Sequence, residues 1–209
     1  MTAKERSSMA ERYRRQSPLA HLKLAARTVL REEAAVSLID RGFLGQLSLR
    51  GSGDGAFIAA VEAAIGLAPP ALPNRVAESA EVLILWLAPD EWLAVVGEEK
   101  LEASWRKLVE KLVGQPAAVA DVSDARAVIG ISGPKARATL AHGCSLDLHP
   151  RVFGPGQCAQ TLLARVPVII HQRGDEPSFD IYVQRSLAEY LWSWLEDAAQ
   201  PYGIAIVEG

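Results

Sequence analysis

One order of elements occurs twice in this chain, and it constrains the fold more than any other feature. "LSLRGSGDGAFIAAVEAAIG" (Leu47 to Gly66) reads as a strand, a glycine turn and a helix, and "VIGISGPKARATLAHG" (Val128 to Gly143) repeats that order. Each is followed by a hairpin and a second helix, so "ILWLAPDEWLAVVGEEKLEASWRKL" stands opposite "IIHQRGDEPSFDIYVQRSLAEYLWSWL". Few residues coincide between the halves, so the repeat is one of pattern. Helices that return over antiparallel hairpins indicate an α+β fold with helices on one face of each sheet. The division falls near Gly114 to Pro116 and predicts a flexible arm over 1–18, one α+β unit over 19–115 and a second over 116–209.

Within this frame, "EAAVSLID" and "LGQLSLR", separated at Gly42, read as two short strands forming a hairpin. In the following helix Phe57, Val61, Ala64 and Ile65 recur at helical spacing, with Asp54 as N-cap and Gly66 as the stop. "APPALPNR" is a loop punctuated by prolines. The helix "KLEASWRKLVEKLVG" carries a stripe of Leu101, Trp105, Leu108 and Leu112. Pro134 opens and Gly143 closes the first helix of the second half. In the last helix, Arg185 to Gln200, the stripe is Leu187, Leu191, Trp194 and Ala198 with Leu195 at its border, which makes Trp194 a core residue. Trp192 falls off that stripe and has two readings: an anchor for a partner, or a ring lying over the edge of its own sheet.

The chain has 209 residues, 49% of them hydrophobic, enough for a core without disulfides or metals. Cys144 and Cys158 are its only cysteines, which excludes a disulfide framework and fits a reducing compartment. A net charge of -3 and a pI near 5.8 argue against a nucleic-acid binder. The longest apolar run, "VLILWLA" from Val82, is far short of the ~20 residues of a membrane span. The segment "MTAKERSSMAERYRRQ" has no apolar core and is not a secretory leader. The expectation is a soluble cytoplasmic protein. The Arg- and Ser-rich segment itself reads either as a disordered tail or as an arm that orders on a partner.

Two stretches carry residue types associated with chemistry. "GSGDGA" (Gly51 to Ala56) has the spacing of a dinucleotide fingerprint between a strand and a helix. The second parallel strand and its acidic end, about 20 residues on, are missing, so the stretch reads as a flexible strand-to-helix turn. "LAHGCSLDLHP" gathers His142, Cys144, Asp147 and His149. A zinc site needs four converging ligands, and a cysteine nucleophile needs a histidine base, an orienting group and an oxyanion site. Here Asp147 and His149 alternate with Leu146 and Leu148, the pattern of an edge segment covering a core, and the remaining histidines, His21 and His171, lie in unrelated contexts. A zinc or Cys144/His149 site stands against a turn in which Asp147 and His149 bond backbone or each other.

"SPLAHL" (Ser17 to Leu22), "LAPDEWLAVVG", "GCSLDLHPRVF", "CAQTLLARVPVII" and "RSLAEYLWSWLEDAA" together resemble the gamma subunit of heterotetrameric sarcosine oxidase, in the right order from Ser17 to Tyr202. The resemblance implies a complex that demethylates sarcosine oxidatively to glycine, forms hydrogen peroxide and passes the one-carbon unit to tetrahydrofolate, a step of sarcosine catabolism. It places FAD, FMN, NAD and folate on the alpha and beta subunits and zinc on the delta subunit. For this chain it implies a ferredoxin-like, aminomethyltransferase-like arrangement of two α+β units and an assembly role. It implies no catalytic, cofactor-binding or metal residue, and "LDLHP" as a structural signature. The alternative is a stand-alone folate-binding protein of the aminomethyltransferase type, although the chain is much shorter than those enzymes.

Overall fold

Residues 15–24 and 34–207 are described by the computed structural model. In chain order the elements are β1 (Val36–Asp40), β2 (Gly45–Arg50), α1 (Gly55–Ile65), β3 (Val76–Glu78), β4 (Val82–Ala88), β5 (Glu91–Val96), α2 (Glu98–Lys111) and β6 (Ala118–Asp121). Then come β7 (Arg126–Ser132), α3 (Ala136–Ala141), β8 (Gln157–Leu163), β9 (Val166–Gln172), β10 (Ser178–Gln184), α4 (Ala188–Ala199) and β11 (Ile204–Val207). They form a five-stranded sheet, β3-β4-β5-β2-β6, and a six-stranded sheet, β11-β1-β7-β10-β9-β8. The run β3-β4-β5-β2 in one sheet has the same arrangement as β8-β9-β10-β7 in the other, so the repeated pattern is a repeated topology.

Alternation along the strands divides each sheet into two apolar faces. In β4 and β5, Val82, Ile84, Trp92, Ala94 and Val96 pack with Phe57 and Val61 of α1 and Leu101 and Leu108 of α2. In the six-stranded sheet, Ile129, Ile131, Ile170, Ile181 and Val183 pack with Leu140 of α3 and with α4. The opposite faces meet each other: Leu85, Leu87, Leu93 and Val95 lie against Val128, Cys158, Ile169 and Tyr182. The result is four layers, helix, sheet, sheet, helix, and both sheets read as apolar on two sides because both are covered on two sides. The α+β expectation with helices on one face of each sheet holds.

Local signals in the first half act as their chemistry requires. The Asp54 carboxylate accepts the Phe57 N–H at 2.9 Å, and Gly66 ends α1 in the left-handed region at φ 76°. The proline loop is pinned by Trp92, whose Nε1–H donates to the Pro70 carbonyl at 2.9 Å while its ring lies 5.2 Å from that of Phe57.

Strand pairing departs from the expected hairpin. β1 runs antiparallel to β7 and parallel to β11, whereas β2 lies between β5 and β6. Strands are therefore exchanged across the expected boundary at 115/116: β1 joins the sheet of the second half and β6 that of the first. Leu19, fully buried, also packs in the core of the six-stranded sheet. Alternation records which face of a strand is buried and is silent about its neighbours. The short strands β3, β6 and β11 were not anticipated. The expected arm over 1–18 lies outside the described residues as far as residue 14. Beyond it, the Gln16 carbonyl accepts from Arg185 at 3.3 Å.

The last helix also needs correction. Its buried face is Ala188, Leu191, Trp192, Leu195 and Ala199, and Trp194 is only partly buried. Residues Arg185–Leu187 form a 3-10 turn ahead of α4. A 3-10 turn winds by three residues rather than 3.6, so a stripe phased from Leu187 enters the α-helix out of register. Trp192 is core.

Candidate functional site

The stretch that gathers the metal- and nucleophile-type residues, 142–149, lies between α3 and β8 and is fixed from within by Arg137. From α3, Arg137 Nη1 donates to the carbonyls of Leu148 and Phe153, the latter at 3.2 Å, and Nη2 donates to Gln172 Oε1 at 2.8 Å. Its guanidinium stacks over the Phe179 ring at 5.1 Å. Burial without a carboxylate partner pushes the Arg137 pKa down. Leu148 and Phe153 are turned into the core, and the polar residues between and before them are left facing outward.

The four candidate residues do not converge. His142 Nε2 is 3.1 Å from the Tyr202 hydroxyl at the surface, and Cys144 Sγ is 4.0 Å from the Thr161 hydroxyl. Asp147 accepts the His149 backbone N–H at 2.9 Å, and His149 Nδ1 accepts the Arg151 N–H at 3.2 Å. These are the bonds of a turn, in which short side chains take up backbone donors that have left helix and sheet. Among the described residues no three His, Cys, Asp or Glu side chains group as metal ligands. Zinc, which needs a tetrahedral set, does not fit the Cys144, Asp147 and His149 arrangement.

The glycine turn is filled by packing. A Cβ on Gly51 would stand 2.3 Å from Phe57 Cε2, and Gly53, at φ 68°, lies against the Trp92 ring and the Pro89 carbonyl. The backbone bond to Phe57, the largest influence, and the Ser52 hydroxyl hold the Asp54 carboxyl below its usual range. A carboxylate thus occupies the helix N-terminus where a dinucleotide phosphate would bind, and a nucleotide does not fit.

A charged cluster in the six-stranded sheet escaped the sequence reading. Asp180, 5% exposed, accepts from Arg41 Nε at 2.9 Å and lies 3.4 Å from Arg173 Nη1, while Arg173 Nη2 donates to Glu78 at 3.1 Å. Glu78 belongs to β3, so the cluster ties the two sheets together. Asp180 pairs across the sheet with His171, and His171 with Cys158. His171 is fully buried, neither ring nitrogen has a partner among the described residues, and burial pushes its pKa down to about 4. Cys158 donates its thiol to the Trp86 carbonyl at 3.4 Å, and burial pushes its pKa up to about 11, which keeps it protonated and unreactive. The signal available was the parity of His171 and Arg173 with the core residue Ile169, which places polar groups on a face otherwise apolar. No helix among the described residues is long and apolar enough to cross a membrane.

A family model described as "Sarcosine oxidase, gamma subunit family" matches residues 50–201. The chain is 36% identical over 195 residues to the sarcosine oxidase subunit gamma of Corynebacterium sp. (strain U-96), covering 92% of this chain and 94% of that one. Its fold matches a chain of the heterotetrameric sarcosine oxidase from Corynebacterium sp. U-96 in complex with pyrrole 2-carboxylate. That match has a TM-score of 0.82 at 36% identity, over 92% of this chain and 98% of that one. The glycine cleavage system aminomethyltransferase T from Bartonella henselae shares the fold with a TM-score of 0.60 at 19% identity, over 91% of this chain and 51% of that one.

Proposed function

Because the chain belongs to the sarcosine oxidase gamma-subunit family, we propose that it serves as the non-catalytic gamma subunit of a heterotetrameric sarcosine oxidase in the cytoplasm. The complex demethylates sarcosine to glycine with formation of hydrogen peroxide and passes the one-carbon unit to tetrahydrofolate. Alpha, beta and delta partners supply that chemistry, with FAD, FMN, NAD and folate on the large subunits and zinc on delta. This chain contributes a rigid four-layer support. The observation that carries the reading is likeness along almost the full length of both chains to a chain found in such a heterotetramer. The chain's own geometry agrees with it: Asp147 and His149 are engaged with backbone, the glycine turn is packed shut and Cys158 is buried.

The test is co-expression of the three partner chains with and without this one. Stable complex and sarcosine-dependent peroxide formation are expected only when it is present, while the isolated chain is colourless and inactive. A complex of full activity assembled without it would refute the role. The stand-alone folate reading is tested by calorimetric titration of the isolated chain with reduced folate, where no binding heat is expected.

A further inference from the structure

Among the described residues, the inner face of the six-stranded sheet is not covered to its end. Val128, Cys158, Ile169 and Tyr182 on that face pack against the five-stranded sheet. Two residues further along their strands, on the same face by the period of two, stand Arg126, Gln160, Pro167 and Gln184. There the cover stops. Gln160 reaches the Leu87 carbonyl at 2.8 Å, and Gln46 of β2 reaches the Arg126 carbonyl at 3.1 Å; both bonds join the two sheets where the cover ends. Past this border lies a cleft of about 960 Å³, lined by Arg126, Pro167 and Gln184, with the buried Ile169 and Tyr182 at the border itself, and flanked by Asp124, Arg185 and Pro18.

Its charge is unbalanced although the chain as a whole is acidic at -3. Two guanidinium groups face one carboxylate in the lining. Arg185 reaches Asp124 only at 3.6 Å with its side chain 41% exposed, and the Arg126 guanidinium has no partner among the described residues. The floor ends at β8, an edge strand paired on its outer side, among the described residues, by isolated bridges at Gln157 and Leu163. Leu162, on the same strand, is 52% exposed. A small-molecule site encloses its ligand, whereas this one is wide, open along a strand edge and bordered by one half-buried and one exposed guanidinium, Arg126 and Arg185, the form of an interface that takes an extended chain.

We propose that this uncovered end of the sheet is a docking surface for an acidic, extended segment of a partner subunit, whose carboxylates are received by Arg126 and Arg185. The inference rests on the gamma-subunit reading. It is tested in the complex, by the affinity of the tagged chain for the co-expressed partner subunits. Arg126→Glu and Arg185→Glu should each weaken binding about tenfold or more at low salt. The wild-type affinity should fall toward theirs as salt is raised, and Lys107→Glu, a reversal of the same size on the exposed side of α2, should leave it within about twofold. Because a reversal beside Asp124 could disturb folding, a photo-crosslinking residue at Gln184 supplies a second readout. It should capture an Asp- or Glu-rich stretch of a partner subunit. Wild-type affinity and salt dependence in both reversals would overturn the proposal, as would a crosslink to a second copy of this chain or to no protein. Wild-type chain that fails to bind the partners at all would remove the gamma-subunit reading itself, and this inference with it.

Discussion

The indole of Trp194 lies where a side chain on Gly143 would begin: a Cβ there would stand 2.5 Å from Trp194 Cζ2 and 2.8 Å from Cη2, with the Ala164 backbone nitrogen at 3.0 Å. Gly143 is needed for close approach. Gly143→Ala is expected to destabilise the chain by about 1–3 kcal/mol through overpacking. Trp194→Leu should recover part of that loss in the double variant. Thermal midpoints of the four proteins in this cycle measure the coupling, and additive effects would contradict the contact.

Trp192 is fully buried on the inner face of α4. Trp192→Ala is expected to cost about 3–5 kcal/mol, as other large aromatic truncations do. Chemical denaturation of the isolated chain should show it without any partner present, and a variant as stable as wild type would return Trp192 to the surface.

Arg137→Leu removes the donors to the Leu148 and Phe153 carbonyls and to Gln172 together. A loss of about 3 kcal/mol is expected from acceptors left unpaired in a part-buried place. Arg137→Lys should not restore it, since an ammonium group lacks the planar fork that serves three acceptors. Hydrogen exchange should rise across 143–153 in both variants before it rises elsewhere.

His171 links stability to pH. Burial is the main cause of its fall from 6.5 to about 4, with smaller opposing effects from Glu78, which raises it, and Arg173, which lowers it further. The unfolded chain therefore binds this proton first. The contribution of His171 is whole above pH 6.5 and is lost as pH falls from 6.5 to about 4, by an order of magnitude of 3 kcal/mol. His171→Gln should flatten the urea-midpoint profile across that window. An unchanged slope would show that other groups carry it.

The outward residues near β8 are expected to be tolerant. His149→Ala should cost at most about 1 kcal/mol, by losing its bond to the exposed Arg151 N–H. Asp147→Ala should cost about 0.5–1 kcal/mol by losing one backbone bond. Zinc content of the purified chain should be nil and the same in Cys144→Ser. Stoichiometric zinc lost in these variants would contradict the turn geometry.

The sequence by itself determined the longer elements, their repeated order and the local devices that start and stop them, but not the short strands β3, β6 and β11. Asp54 caps α1 and Gly66 ends it because capping and left-handed backbone depend on residues within one turn. The stripe of Leu101, Leu108 and Leu112 is legible for the same reason, since helical period fixes which side chains share a face. Only the tertiary structure decided that β1 crosses to the six-stranded sheet and β6 to the five-stranded one, because alternation fixes a face and leaves the neighbour open. It also decided the fate of the polar residues. Arg137 and His171 look like surface groups in a sequence, and both are drawn inside by contacts with residues 35 positions away or by a second sheet laid over them. Asp147 and His149 look like ligands and face outward, because the leucines beside them claim the core.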